Sequence, residues 1–328
     1  MRKFNEFPRE TLAITPTPIE KLPRFSRELS GPNIYIKRDD NTGLALGGNK
    51  ARKLEYLIAD AKNKGADVVL TEGGIQSNHA RMTAAAARRV GMKPILVLKG
   101  DKIEDYQGNL FIDRLLDAEI IRVDPEDSTG RRQTMYNKAE ELKQEGKTPY
   151  VIPTGGSTGL GALGFINCAR EIKNQAEDME IEFDWIIHPI GSGGTQAGLI
   201  AGKQIFGGNY KIMGIAADNE DFAPEIQKIG QEINKLIIEK VNITEDDIKL
   251  NYNYYGPKYG VPSEKSINAM KLLSRNEGIL VGPIYTGKAL AGLIDLSKKG
   301  HFNNDDNILF LHTGGTPAMF AFDIVDQL

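Results

Sequence analysis

Seven short apolar runs, each separated from the next by a longer amphipathic stretch, set the limits on how this chain folds. The runs are Val68–Leu70, Ile95–Leu98, Ile120–Val123, Tyr150–Ile152, Trp185–His188, Ile212–Ala216 and Ile308–Leu311. They are too short for helices and rich in β-branched residues, which is how strands buried on both faces of a parallel sheet read. The stretches between them have helical period. Leu54, Leu57, Ile58 and Ala61 fall on one helical face, while Lys53, Asp60 and Lys62 do not. Strand–helix alternation along the whole chain predicts an α/β fold with open, mostly parallel twisted sheets flanked by helices. A chain of 328 residues exceeds what one core usually supports, so two domains are expected. The Gly-rich stretches Gly43–Gly48 and Gly155–Gly164 mark the crossings. A smaller α/β domain, 47–159, would be inserted in a larger one made of 1–46 plus 160–328, with the ligand cleft between them.

Several function classes are disfavoured at once. The formal net charge of −3 does not suit nucleic acid or an anionic membrane as partner. No apolar run reaches the roughly 18 residues that a membrane span needs. Residues Met1 to Glu10 are polar and of mixed charge, without the apolar core of a signal peptide. A single cysteine, Cys168, excludes an internal disulfide and fits a reducing cytoplasm. His79, His188, His301 and His312 are scattered without metal-ligand spacing, so no metal site is expected.

Chemistry is expected at three Gly-rich strand-to-helix turns, because ligands of open α/β sheets bind beyond the carboxyl ends of the strands. The first is Gly191-Ser192-Gly193-Gly194-Thr195-Gln196-Ala197-Gly198. Its glycines let the backbone approach closely, and the helix N-terminus offers free N–H groups and a positive dipole end, which makes a phosphate cup. A dinucleotide fingerprint would need glycine where Gln196 stands, although Asp218 lies where a ribose-binding acid would be. The cup therefore reads as built for one phosphate. The second turn, Gly47-Gly48-Asn49-Lys50, puts a lysine at a helix start, the end that cations disfavour. A phosphate cup with a reactive lysine is the minimum equipment for pyridoxal 5'-phosphate (PLP), since lysines of depressed pKa form Schiff bases. Lys53, three residues on, is within reach of the same phosphate. The third turn, Gly73-Gly74-Ile75-Gln76-Ser77-Asn78-His79, offers Ser77 as a helix N-cap and free N–H groups suited to an amino-acid carboxylate.

Together these turns resemble the fold type II PLP enzymes, the tryptophan-synthase-β class. Within them the chain is most similar to the family of D-cysteine desulfhydrases and 1-aminocyclopropane-1-carboxylate (ACC) deaminases. The likeness covers nearly the whole chain. It includes Thr17-Pro18-Ile19-Glu20, Ile36-Lys37-Arg38-Asp39-Asp40, Gly47 to Glu55, Gln76 to His79 and Tyr259-Gly260-Val261-Pro262. It ends with Gly282-Pro283-Ile284-Tyr285-Thr286-Gly287-Lys288 and His312-Thr313-Gly314-Gly315-Thr316-Pro317. The resemblance implies that Lys50 is the Schiff-base lysine. It implies that Ser77, Asn78 and His79 hold the substrate carboxylate and the ring hydroxyl of PLP. Lys53 and Gly191, Ser192, Gly193, Gly194 and Thr195 match the phosphate site, and Tyr259 and Tyr285 match two active-site tyrosines.

Thr286 and Thr313 select within the family. ACC deaminases have Glu and Leu there, and the pair of threonines resembles the D-cysteine desulfhydrases. Glu beside the pyridine nitrogen would keep it protonated and a strong electron sink, which opening a cyclopropane demands and expelling a thiolate does not. Thr313 would lie near the substrate. L-Cysteate sulfo-lyases have Ser or Thr at the first of these positions and Thr at the second, and Thr195-Gln196-Ala197-Gly198 resembles their cup as well. Gly282 departs from relatives, which commonly have Asp before the proline. The resemblance therefore implies a PLP-dependent β-elimination lyase that turns D-cysteine into pyruvate, ammonia and hydrogen sulfide, with Lys50 or a tyrosine as the α-proton base. L-Cysteate sulfo-lyase and ACC deaminase activities are the alternatives within the family. A nicotinamide-dependent oxidoreductase and a catalytically silent PLP or amino-acid binding protein are the alternatives outside it. A small amino acid is the expected partner and a cytoplasmic homodimer the expected form.

Overall fold

The computed structural model describes residues 1–101 and 105–328. The ten strands among the described residues are β1 (Ile19–Lys21), β2 (Asn33–Lys37), β3 (Val68–Gly74), β4 (Lys93–Lys99), β5 (Glu119–Val123), β6 (Pro149–Ile152), β7 (Trp185–Ile190), β8 (Lys211–Ala216), β9 (Lys249–Asn251) and β10 (Asn307–Leu311). The helices are α1 (Pro23–Leu29), α2 (Lys50–Asn63), α3 (Asn78–Arg89), α4 (Gly108–Leu115), α5 (Gly130–Gln144), α6 (Gly159–Asp178), α7 (Gly194–Phe206), α8 (Ala223–Leu236), α9 (Glu264–Glu277) and α10 (Thr286–Lys298). All seven apolar runs are strands. They form two open sheets, one of order β1-β2-β10-β7-β8-β9 and one of order β5-β4-β3-β6. Every pairing is parallel except that of the edge strand β1 with β2.

Helices cover both faces of each sheet, as parallel sheets require. One face of the six-stranded sheet buries α6, α7 and α8, and the other buries α1, α9 and α10. The four-stranded sheet lies between α2, α3 and α4 on one side and α5 on the other. Helix α6 packs against α2 as well as α7. A Cβ on Gly164 would come within 2.3 Å of the Arg52 carbonyl oxygen, so only glycine permits this approach.

That contact explains the burial of Lys53. Lying off the apolar stripe, Lys53 reads as a side chain outside the buried face of its helix, yet it is 1% exposed. Helix α2 is buried on nearly every side because α3 and α6 enclose it. Its charges are met inside the protein. The Arg52 guanidinium donates to both carboxylate oxygens of Asp39 and of Glu171 at 2.8–2.9 Å, and to the Thr17 hydroxyl at 3.0 Å. Lys37 donates to the Thr17 carbonyl and to Glu171. Two cations and two carboxylates thus balance, the condition under which buried charge is tolerated. This cluster ties β2 and α6 to the first turn of the helix that begins with Lys50.

Candidate active site

The loop before Lys50 is shaped by close contacts. A Cβ on Gly47, at φ 70°, would lie 1.7 Å from the Asp40 carbonyl oxygen, so no other residue fits. The Thr42 hydroxyl donates to the Gly48 carbonyl and accepts from the Gly48 N–H, both at 2.8 Å. Buried Arg81 of α3 donates to the carbonyls of Ala45 and Gly47. Asn49 stands at the N-cap of α2 without capping it; its side-chain amide instead donates to the Thr195 hydroxyl across the cleft at 3.3 Å. This links the lysine turn to the Gly191–Thr195 turn. Burial lowers the Lys50 amine from its ordinary value to about 8.

The Gly191–Thr195 turn opens α7, and Lys53 meets it from α2. Lys53 donates to the Gly155 carbonyl at 3.1 Å and the Ser157 hydroxyl at 3.2 Å. Ser157 donates in turn to Ser192 at 2.9 Å. The N–H groups of Gly193, Thr195 and Gln196 have no partner among the described residues. Lys53 also lacks a carboxylate partner, and its pKa lies well below the ordinary value, through burial first and then repulsion by Lys50. A Cβ on Gly194 would fall 2.8 Å from both the Lys53 amine and the Ser157 hydroxyl. Free N–H groups, two hydroxyls and an unanswered cation around a space that a methyl group would fill fit a phosphate, so the residues present suit the 5'-phosphate of PLP. Gln196, by contrast, is fully buried and donates to the Lys249 carbonyl. It packs where the third glycine of a dinucleotide turn would stand.

Ser157 was not legible as part of this group. Gly155-Gly156-Ser157 follows strand β6 and precedes α6, the same pattern as the other three turns, but it reads equally well as a crossing between domains. Glu72 is a second such residue. It is buried at the end of β3, accepts from Arg131, Arg132 and Thr154, and so fixes two arginines on the cleft wall.

Ser77 caps α3, its hydroxyl oxygen accepting from the Ala80 N–H at 3.1 Å. The N–H groups of Asn78 and His79 are free among the described residues. Asn78 accepts from Asn109 at 2.9 Å. His79 is buried with its ring on the Thr71 hydroxyl at 2.9 Å, so its side chain is engaged away from the cleft mouth. Burial and the charges of Lys50 and Lys53 hold its pKa well below the ordinary value.

Tyr259 and Tyr285 share a hydrogen bond between their hydroxyls, their rings edge to face at 6.0 Å. Burial raises both pKa values, that of Tyr285 well above the ordinary one. Buried Thr286 opens α10, donates to the Gly314 carbonyl at 2.7 Å and touches the Thr313 hydroxyl at 3.2 Å. Gly282 has a physical reason: a Cβ there would lie 2.3 Å from the Gly315 carbonyl oxygen. Lys50, Ser77, Gly191, Tyr259, Tyr285 and Thr313 line one cleft of about 690 Å³. Among the described residues no cluster suits a metal ion, and no helix is long and apolar enough to cross a membrane.

A family model described as pyridoxal-phosphate dependent enzyme matches residues 10–314. The chain is 41% identical to a D-cysteine desulfhydrase of Serratia proteamaculans (strain 568), over 98% of each chain. It is 42% identical to a D-cysteine desulfhydrase of Yersinia enterocolitica, over 98% of this chain and 97% of the relative. The crystal structure of an ACC deaminase homologue superposes with a TM-score of 0.91 at 40% identity, over 99% of this chain and 98% of that one.

Proposed function

The chain belongs to the pyridoxal-phosphate-dependent enzyme family, and from that premise we propose that it is a carbon–sulfur β-lyase converting D-cysteine to pyruvate, ammonia and hydrogen sulfide. Lys50 is proposed to hold the cofactor covalently. Lys53, Ser157, Ser192 and the N–H groups of Gly193, Thr195 and Gln196 would hold its phosphate, Asn78 its ring hydroxyl, and Thr286 would lie by its ring nitrogen. Bound there, PLP supplies a carbonyl for an amine and a conjugated ring that draws electrons from the α-carbon.

The protein's own groups divide the remaining work. The N-terminus of α3, with Ser77 and the free N–H groups of Asn78 and His79, suits the substrate carboxylate. The Lys50 amine, at about 8, is partly neutral near neutral pH and is the proposed acceptor of the α-proton. The tyrosines, with raised pKa values, keep their protons and can protonate departing sulfur. Loss of the α-proton and of sulfide leaves an enamine, which water converts to pyruvate and ammonia.

The observation that carries the choice of substrate is the contact between Thr286 and Thr313. Their hydroxyls meet each other and that of Thr286 donates to the Gly314 carbonyl, with no carboxylate among these partners. That environment supports a weak electron sink, adequate for a thiolate leaving group and poor for a cyclopropane. A second reading, release of sulfite from L-cysteate, is supported by Arg131 and Arg132. Both residues line the cleft, their terminal nitrogens have no partner among the described residues, and such groups suit an anionic sulfonate. The test is product analysis over D-cysteine, L-cysteine, L-cysteate and ACC. Pyruvate with sulfide from D-cysteine, and little 2-oxobutanoate from ACC, is the expected result. Efficient ACC turnover overturns the reading of the threonines, and sulfite from L-cysteate alone moves the assignment to the second reading.

A homodimer in a reducing cytoplasm belongs to the same proposal. Helix α4 packs against residues 316–321 and leaves Phe111, Leu115 and Phe320 55%, 73% and 72% exposed, an apolar surface that a second copy would cover.

A further inference from the structure

Lys288 has no part in the chemistry above, yet it is fully buried on α10, two residues after Thr286. Its amine donates to one acceptor among the described residues, the backbone carbonyl of Lys258, at 3.2 Å. Lys258 precedes Tyr259. The segment leading to it runs along α10. Asp295, seven residues beyond Lys288 and on the same helical face, accepts from the Tyr254 hydroxyl at 2.5 Å. A Cβ on Gly292, between them on that face, would lie 3.0 Å from the Tyr254 ring. A Cβ on Gly256 would lie 3.8 Å from Lys288 Cε. Residues 288, 292 and 295 thus form a rail along which residues 254–258 lie. Tyr285 immediately precedes the same helix.

We propose that Lys288 is a positioning residue for the tyrosine pair. By holding the Lys258 carbonyl, it fixes the loop that carries Tyr259 against the helix that follows Tyr285. An apolar side chain would fill this space without the desolvation of an ammonium group, so packing alone does not account for a lysine here. Burial brings its amine down to about 8, with Asp218 opposing that shift. The lysine reaches what no shorter side chain does, a backbone acceptor on the far side of the loop.

The test replaces Lys288 with Met in the PLP-loaded enzyme, keeping length and removing the donor. Lys258 is exposed, and trypsin cleaves after it. Losing one hydrogen bond from a charged group should raise the open population, and so the rate of this cleavage, by roughly 10- to 150-fold. PLP retention and the visible spectrum should not change. The activity arm rests on the proposed D-cysteine reaction. There kcat should fall on the order of 10²-fold, as misplacement of a reacting group does, while KM moves little. In a Tyr259→Phe background Lys288→Met should have no further effect, because it acts through that tyrosine. Lys288→Arg, which keeps a donor of similar reach, should restore both readings. Lys288→Gln, polar but too short, carries the same test if the Met variant does not fold. Unchanged cleavage at Lys258, or an equal loss of activity in the Tyr259→Phe background, overturns the proposal. Absence of D-cysteine turnover in the wild type refutes the substrate reading alone, and the proteolysis then decides the role of Lys288.

Discussion

Gly194→Ala adds one methyl group where the phosphate is proposed to sit. Gly194 is the first residue of α7 and its backbone is not in the left-handed region, so alanine is conformationally acceptable and has the better helix propensity. The new Cβ would lie 2.8 Å from the Lys53 amine, 2.8 Å from the Ser157 hydroxyl and 3.1 Å from Ser157 Cα. Both donors must withdraw from the cup or the anion must leave it. A hydrogen bond to a charged group contributes about 1.5–3 kcal/mol, so losing two weakens binding by roughly 10²- to 10⁴-fold. The assay titrates the cofactor-free protein with PLP and, in parallel, with pyridoxal, following visible absorbance. PLP affinity should fall by that factor, pyridoxal affinity should stay level, and the Tm of the cofactor-free protein should hold. A PLP affinity within about threefold of wild type, under 1 kcal/mol, would refute the reasoning that places the phosphate between Lys53 and α7.

Two further outcomes follow from the same geometry. Only a neutral amine attacks a carbonyl, and burial lowers Lys50 to about 8; the rate at which cofactor-free protein captures PLP should rise with pH and level off above that value. A rate still climbing toward about 10 would indicate an ordinary lysine, and borohydride should fix the label on Lys50 and no other residue. Ser77→Ala and Ser77→Gly both remove the hydroxyl and should lower kcat/KM by roughly 10- to 150-fold with the visible band intact. Only the alanine should also lose about 0.5–2 kcal/mol of stability, since glycine is nearly as good an N-cap; parallel losses of stability and activity would show the cap alone at work.

The sequence reveals strands that carry an uninterrupted apolar run and hides those that are very short or interrupted by charge. All seven apolar runs are strands of the two sheets, including β5 and β6, which form the edges of the smaller one and are only partly buried. The three strands it hides lie toward one edge of the larger sheet or at its ends. β1 and β9 are three residues long and half-exposed, too short to show a pattern. β2 ends in Lys37, a residue that reads as solvent-facing until its carboxylate partner on α6 is in view. The Gly-rich turns are legible because strand, glycine, helix is a local signal, and all three meet in one cleft. Ser157 is hidden because its turn reads equally well as a crossing between domains. The burial of Lys53 is hidden because periodicity describes one helix face and cannot register that α6 covers another.

Helix α2 carries the argument furthest, because three cations stand in its first four residues and each meets a different environment. Arg52 is answered within the protein by Asp39 and Glu171 at 2.8 Å. Lys50 borders the cleft and, among the described residues, meets Asn49 alone, at 3.3 Å. Lys53 is as buried as Arg52 and, among the described residues, donates only to a carbonyl and a hydroxyl. A buried ammonium without a counter-charge is unfavourable by several kcal/mol or loses its proton, and Lys50 nearby makes this worse. The fold nevertheless encloses Lys53 with a glycine carbonyl, serine hydroxyls and the free N–H groups of a helix start, and with no anion among the described residues. A group of that composition is incomplete without an anionic ligand, and a phosphate supplies the charge that Lys53 lacks while relieving its repulsion of Lys50. Binding energy of that kind favours only the folded chain, so the same ligand that brings the chemistry also stabilises the helix that holds it.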